Sequence, residues 1–149
     1  MPTGKRALQN KWVYRLKGED GGEKCYKAIL VVKGFAQKKG IYFNEIFSLV
    51  VKMTSIRTIL SFMSVEYLHL EKLDVKTTFL HGDLEEEIYM KKPKGYEVKG
   101  KKNLVCRLEK SLYGLKQAPR QWYLKFDRFM IEQGYSRCHF DHYVYFKRQ

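Results

Sequence analysis

The order of elements along this chain predicts an α+β domain, a largely antiparallel sheet with two main helices. Three observations carry that prediction. Short apolar runs bounded by turn residues recur along the chain. Two longer runs place apolar residues at helical spacing. The resulting order, β-β-α-β-β-β-α-β, lacks the regular βαβ alternation of a parallel sheet. At 149 residues with 44% hydrophobic content, the chain suits one domain, or part of one, with a core.

Residues 11–16 read as a strand. Gly18-Glu19-Asp20-Gly21-Gly22 follows, rich in residues that tolerate positive φ, and residues 25–33 read as the second arm of a hairpin. Residues 34–48 form a loop, with Phe35, Tyr42, Phe43 and Phe47 expected to pin it to apolar surface. Thr54 or Ser55 caps a helix whose apolar positions are Ile56, Ile59, Leu60, Met63 and Tyr67. Short strands are expected at about 70–75 and at 86–90. A basic loop spans 91–102, and a further strand spans 104–108. Pro119 opens the second helix, where its missing N–H costs nothing. Trp122, Phe126, Phe129 and Met130 make that helix's buried stripe, and Gly134 ends it. Residues 143–146 read as a last strand with no partner after it, which predicts a domain truncated at the C-terminus.

Lys and Arg number 29 against 16 Asp and Glu, a formal charge of +13. That excess suits a polyanion, because each neutralised phosphate releases condensed counterions. The three cysteines, Cys25, Cys106 and Cys138, are odd in number and form no CxxC pair, so a disulfide framework is not expected and a reducing, intracellular setting fits. No apolar run is long enough to span a bilayer, and the N-terminus has no signal-peptide core.

Two stretches carry the chemistry. The first is Leu73-Asp74-Val75-Lys76-Thr77-Thr78-Phe79-Leu80-His81-Gly82-Asp83-Leu84. Asp74 closes a short apolar run, where a carboxylate either caps a turn or holds a divalent cation, with the Val75 backbone carbonyl as a second ligand. Phe79 is either a core aromatic or the wall of a nucleotide pocket. The second stretch is Ser111-Leu112-Tyr113-Gly114-Leu115-Lys116-Gln117-Ala118-Pro119-Arg120-Gln121-Trp122. Gly114 permits close backbone approach, and Lys116 and Arg120 sit near a helix start whose free N–H groups favour phosphate. A plain strand-to-helix connection fits that stretch equally well. The acidic run at 83–87 reads as solvated surface. The group Cys138-His139-Phe140-Asp141-His142 lacks paired zinc ligands elsewhere. Lys91, Lys92, Lys94, Lys99, Lys101 and Lys102 flank Tyr96 and are phosphate-backbone candidates.

At these residues the chain resembles the reverse transcriptase of Ty1/copia-type LTR retrotransposons, in its plant form. The likeness begins at Lys11-Trp12-Val13-Tyr14 and runs through Leu30-Val31-Val32-Lys33-Gly34-Phe35, Val51-Lys52-Met53-Thr54-Ser55-Ile56-Arg57 and the Asp74 stretch. It continues at Glu86-Glu87-Ile88-Tyr89-Met90, Val105-Cys106-Arg107-Leu108 and the Tyr113 stretch, and ends at Asp141-His142.

The resemblance implies an incomplete fingers and palm of a right-hand polymerase across residues 1–149, with fingers at about 11–50 and mainly palm at about 51–149. It implies that the complete enzyme copies RNA into DNA by nucleotidyl transfer with two metal ions, Mg2+ or Mn2+. Asp74 would be the catalytic, metal-binding aspartate, joined by the Val75 carbonyl. Phe79 would gate the sugar, and Thr78, Tyr113, Gly114 and Lys27 would join it in binding nucleotide. Lys33, Lys116, Gln117, Pro119 and Arg120 would contact template and primer. The implied partners are an RNA template, a DNA primer, deoxynucleoside triphosphates and the remainder of a polyprotein, with no membrane. The implied location is a cytoplasmic virus-like particle or the nucleus.

Four departures from the family pattern stand out. Ile29 replaces an arginine, Leu49 replaces the proline of Phe-Ser-Pro, and Thr78 replaces an alanine. The family's Tyr-Val-Asp-Asp hairpin is absent, and the chain contains no Asp-Asp pair. The expectation is a polymerase fragment inactive on its own. The alternative is a non-catalytic basic module that binds nucleic acid, or a retroelement relic.

Overall fold

The computed structural model describes residues 5–18, 24–48, 50–97, 100 and 104–148. Strands β1 (Asn10–Gly18) and β2 (Lys24–Val32) form the expected antiparallel hairpin, with Trp12 opposite Leu30 and Tyr14 opposite Ala28. Most of its turn, and Leu49, Lys99, Lys101 and Lys102, lie outside the described residues. Helix α1 (Met53–Val65) follows, then β3 (Asp83–Lys91) antiparallel to β4 (Val105–Lys110), then helix α2 (Ala118–Glu132). Two-residue strands β5 (Ser136–Arg137) and β6 (Tyr145–Phe146) pair antiparallel. The fold is thus α+β with two helices and antiparallel pairing.

Among the described residues the strands form three separate two-stranded sheets instead of one. Two isolated parallel bridges link the ladders to their surroundings. Leu8 meets Met90, and Val31 meets Tyr113. The core sits where these connections cross. Leu8, Val32, Tyr42, Phe43, Ile88, Met90, Leu115 and Ala118 are buried together, with Phe79 and Leu108 packed against them. Val32, Ile88, Met90 and Ala118 come from strands and a helix end, and Leu8, Tyr42, Phe43 and Leu115 come from the segments outside them.

Several local expectations change. Residues 70–75 form no strand, since among the described residues no neighbour pairs with their backbone, and Leu70, Leu73 and Val75 are exposed. An extended run gains its stability from a ladder, and propensity alone does not supply one. Helix α1 starts one residue before Thr54 and takes no cap from its own side chains. Its cap arrives from residue 141. The Lys52 N–H donates to Asp141 Oδ2 at 2.9 Å, and the Ser55 hydroxyl also bonds that carboxylate. Those bonds, led by Ser55, hold the Asp141 carboxyl below its usual range. The apolar stripe of α1 buries no residue, and Tyr67 lies beyond the helix end.

In the loop at 34–48, Tyr42 and Phe43 are buried as expected, but Phe35 and Phe47 are exposed. On α2, Trp122 packs on Phe126 with ring centroids 6.0 Å apart, while Phe129 points outward. The helix buries polar residues in its place, Gln121 and Asp127. Asp127 is held by Arg137 and by the Tyr145 hydroxyl, which donates at 2.8 Å. Those bonds, led by Arg137, depress its carboxyl pKa. Burial and the Asp127 bond push the Tyr145 phenol well up.

Candidate nucleotide groove and its walls

Residues far apart in sequence meet in one open groove of about 650 Å³. The hairpin contributes Lys17, Lys27 and Ile29. The segment before β3 contributes Asp74, Val75, Lys76 and Thr78, and the β4–α2 turn contributes Leu112 and Tyr113. Of the residues expected at a nucleotide site, the groove thus gathers Lys27, Asp74, Val75, Thr78 and Tyr113. Three lysines against one carboxylate make it receptive to an anion that carries its own cation.

Tyr113 holds the groove together. Its carbonyl accepts the Val32 N–H at 2.8 Å, and its ring meets Phe79 edge-on with centroids 5.6 Å apart. Phe79 itself lines a neighbouring hollow of about 410 Å³ with Pro119, Trp122 and Tyr143. It is therefore a partly buried wall between the two hollows. Gly114 is needed by the protein's own backbone. Its φ is +90°, and a Cβ there would lie 2.1 Å from the Val32 carbonyl oxygen. Gly34 faces the same crossing, since a Cβ on it would lie 1.8 Å from the Gly114 oxygen.

The expected template residues divide. Gln117 is 0% exposed. Its Oε1 accepts from Gln37 Nε2 and its Nε2 donates to the Tyr42 carbonyl, each at 2.9 Å. The Gln117 amide expected to face a template is thus buried and hydrogen-bonded within the fold. Pro119 lines the Phe79 hollow. Lys116 is exposed, but its ammonium bonds the Gln37 carbonyl at 3.2 Å and lies over the Phe43 ring. Arg120 pairs with Glu45 at 2.7 Å. Lys33 donates to Gln9 Oε1 at 3.0 Å. These cations are anchored to neighbouring loops, and a phosphate would compete with those anchors.

For a divalent cation the groove is incomplete. Asp74 supplies one exposed carboxylate, and the Val75 carbonyl already accepts the Thr78 hydroxyl at 2.7 Å. Among the described residues no three ligating side chains come together. The residues present do not by themselves fit a two-metal centre, which needs carboxylates on both ions. No helix among the described residues is long and apolar enough to cross a membrane.

Sequence reasoning missed Lys17 and Lys76 as groove residues, the Gln37–Gln117 pair, and Asp141 as the cap of α1. Asp141 had a signal in the Asp141-His142 match, though not one that revealed its role.

The family described as "Reverse transcriptase (RNA-dependent DNA polymerase)" matches residues 1–149. The chain is 67% identical over 150 residues to the retrovirus-related Pol polyprotein from transposon TNT 1-94 of Nicotiana tabacum, covering 99% of the chain and 11% of that protein. It is 41% identical over 126 residues to the retrovirus-related Pol polyprotein from transposon RE2 of Arabidopsis thaliana, covering 84% of the chain and 9% of that protein. It is 31% identical over 129 residues to the Ty1-BL Gag-Pol polyprotein of Saccharomyces cerevisiae, covering 87% and 7%. The chain therefore spans about a tenth of the length of these relatives. No solved structure matches it. With its whole length inside the family and its identity rising toward the plant elements, the chain belongs to the reverse transcriptases of Ty1/copia-type retrotransposon Pol polyproteins.

Proposed function

We propose that this chain is part of the fingers and palm of an RNA-directed DNA polymerase, and that the Asp74 groove receives the triphosphate end of an incoming deoxynucleotide. The observation that carries this reading is the meeting of Lys27, Asp74, Thr78 and Tyr113 in one groove. Lys17, Lys27 and Lys76 would offset phosphate charge, and Asp74 would contribute one ligand to the nucleotide's magnesium or manganese ion. Tyr113, braced by Phe79 and Val32, would hold the nucleotide's flank. An RNA template and DNA primer would be the macromolecular partners, with the remainder of the polyprotein supplying further carboxylates.

On this reading the chain alone does not sustain nucleotidyl transfer, since a single carboxylate cannot clamp two metal ions. Titrating the ¹⁵N-labelled protein with dTTP and Mg2+ should shift the amides of Lys27, Asp74, Val75 and Tyr113 first. Lys27→Gln should weaken that response about tenfold, the scale of one charge-assisted hydrogen bond. Shifts confined to other surfaces would sink the assignment. Primer extension on poly-rA/oligo-dT should not exceed that of Asp74→Ala. Incorporation above that control would refute inactivity.

The charge of +13 favours a second reading, in which the chain binds nucleic acid without chemistry. That reading predicts affinity that falls steeply with salt.

A further inference from the structure

The two faces of the β1–β2 hairpin differ in character, because side chains alternate along each strand. The register runs unbroken from Asn10 opposite Val32 to Gly18 opposite Lys24. One face carries Lys11, Arg15, Lys17 and Lys27, of which Lys17 and Lys27 line the Asp74 groove. The other carries Trp12, Tyr14 and Leu16 opposite Leu30, Ala28 and Tyr26, and bears no charge until Lys24 at the tip.

Among the described residues this second face is covered at its Trp12 end. The Trp12 Nε1–H donates to the Lys94 carbonyl at 3.1 Å, the Tyr96 ring lies 6.3 Å from Trp12, and Leu30 packs against the core. Toward the tip the face is bare. Tyr14 is 74% exposed, Leu16 51% and Tyr26 80%. An antiparallel sheet with one solvated face usually turns polar side chains to water. Here the lysines turn toward the groove and the aromatic and apolar side chains turn out. At ~150–250 Å² for an aromatic side chain, the two tyrosines and Leu16 leave roughly 400 Å² uncovered.

We propose that this face is a contact between two copies of the chain, packed hairpin on hairpin about a two-fold axis. Charge selects the face. Each copy carries +13, and a two-fold contact sets a surface patch against itself, so a lysine-bearing patch would meet its own charge. The Tyr14–Tyr26 face avoids that clash, and hairpins crossing in opposite directions keep the two Lys24 ammonium groups at opposite ends. An area of roughly 400 Å² per copy is about half that of a standard stable interface, so the contact is weak and reversible, with a dissociation constant on the order of 100 μM. The groove face of each hairpin stays free, so this contact and the nucleotide reading stand or fall separately.

Sedimentation velocity of nuclease-treated protein, across a concentration series at low and high salt, tests the proposal. Dimer should appear toward the top of the series and should increase with salt, because screening weakens the repulsion between like-charged copies. Association bridged by a polyanion would show the opposite salt dependence. Tyr26→Lys should weaken the dimer about tenfold or more, and Tyr26→Phe, which keeps the ring, should preserve it. Phe62→Lys makes the same charge change at an exposed ring on α1 and should leave the dimer intact. Circular dichroism checks that the variants fold, which their exposed positions favour. A monomer at every concentration, or a dimer that weakens with salt, would overturn the proposal. So would loss of the dimer in Phe62→Lys, alone or together with Tyr26→Lys, which would move the contact to α1 or reduce it to net charge.

Discussion

The backbone crossing at Gly34 and Gly114 permits a stability test in which strain and steric clash separate. At Gly34, a Cβ would sit 1.8 Å from the Gly114 oxygen, and at Gly114, 2.1 Å from the Val32 oxygen. A relaxed carbon–oxygen contact is about 3.3 Å or more, so the two segments must part by roughly 1.5 Å or 1.2 Å. Either movement breaks the 2.8 Å bond from the Val32 N–H to the Tyr113 carbonyl. Forcing a methyl into such a crossing costs about 1–3 kcal/mol, and the lost bond about 0.5–1.5 kcal/mol. Gly34→Ala should therefore destabilise by about 2–4 kcal/mol.

Gly114 adds the penalty of a left-handed residue, about 1–2 kcal/mol, so Gly114→Ala should cost about 3–6 kcal/mol. Gly95 isolates that penalty. It has φ +93° with no atom within 4 Å of its would-be Cβ, so Gly95→Ala should cost only about 1–2 kcal/mol. The gain from a less flexible unfolded chain applies equally to all three and cancels in the comparison. Urea denaturation, read as midpoint times slope, gives the three values. Equal losses at Gly95 and Gly114 would refute the close crossing. So would a neutral Gly34→Ala.

Three further outcomes follow from the interior. Gln117→Leu removes the partner of Gln37 Nε2 and of the Tyr42 carbonyl, and should cost about 2–4 kcal/mol in the same denaturation assay; a change below about 0.5 kcal/mol would mean the amide is not needed. Asp127 and Asp141 both have carboxyl pKa values lowered by folding, Asp127 chiefly by Arg137 and Asp141 chiefly by Ser55. The folded state thus holds fewer protons than the unfolded one as these groups titrate. The stability they contribute is fully present above about pH 4, the unfolded carboxylate range, and is lost as pH falls through the lowered values. Asp127→Asn should flatten that acid-side slope in thermal melts at low pH, and an unchanged slope would count against it. Asp141→Asn should speed amide hydrogen exchange in the first turn of α1 while leaving α2 protected; uniform exchange changes would contradict the capping role.

What was legible in the sequence followed from local periodicity. The hairpin, β3, β4 and α2 carry their own patterns, and each formed within a few residues of its expected place. Residues 70–75 also carry a strand pattern, but a strand is a pairing, and a pairing is not written in one segment. Phe129 fits the spacing of a buried stripe, yet the place went to Asp127 because Arg137 and Tyr145 return from beyond the helix to hold its carboxylate. Gln117 illustrates the same limit. A polar residue in a basic turn reads as ligand-facing until Gln37 and Tyr42, some eighty positions earlier, are seen to saturate it. The groove residues Lys27, Asp74 and Tyr113 were found through ordered likeness to a family, since no spacing rule connects them.

Two residues expected from the resemblance to depart from the family pattern, Ile29 and Thr78, line the Asp74 groove. Ile29 lines the groove wall, and Thr78 ties its hydroxyl to the Val75 carbonyl. Both side chains are half-buried, and neither belongs to the core cluster. Isoleucine brings no charge to the groove, and the threonine hydroxyl occupies one lone pair of the Val75 carbonyl. Neither side chain belongs to the core or holds a buried charge, so substitution at either position should cost folding little. Gly34, Gly114 and Gln117 are in the opposite position, because the crossing that shapes the groove also holds the core together. Substitutions of the groove's exposed and half-buried side chains are therefore cheap for this fold, while those that would move its walls are expensive.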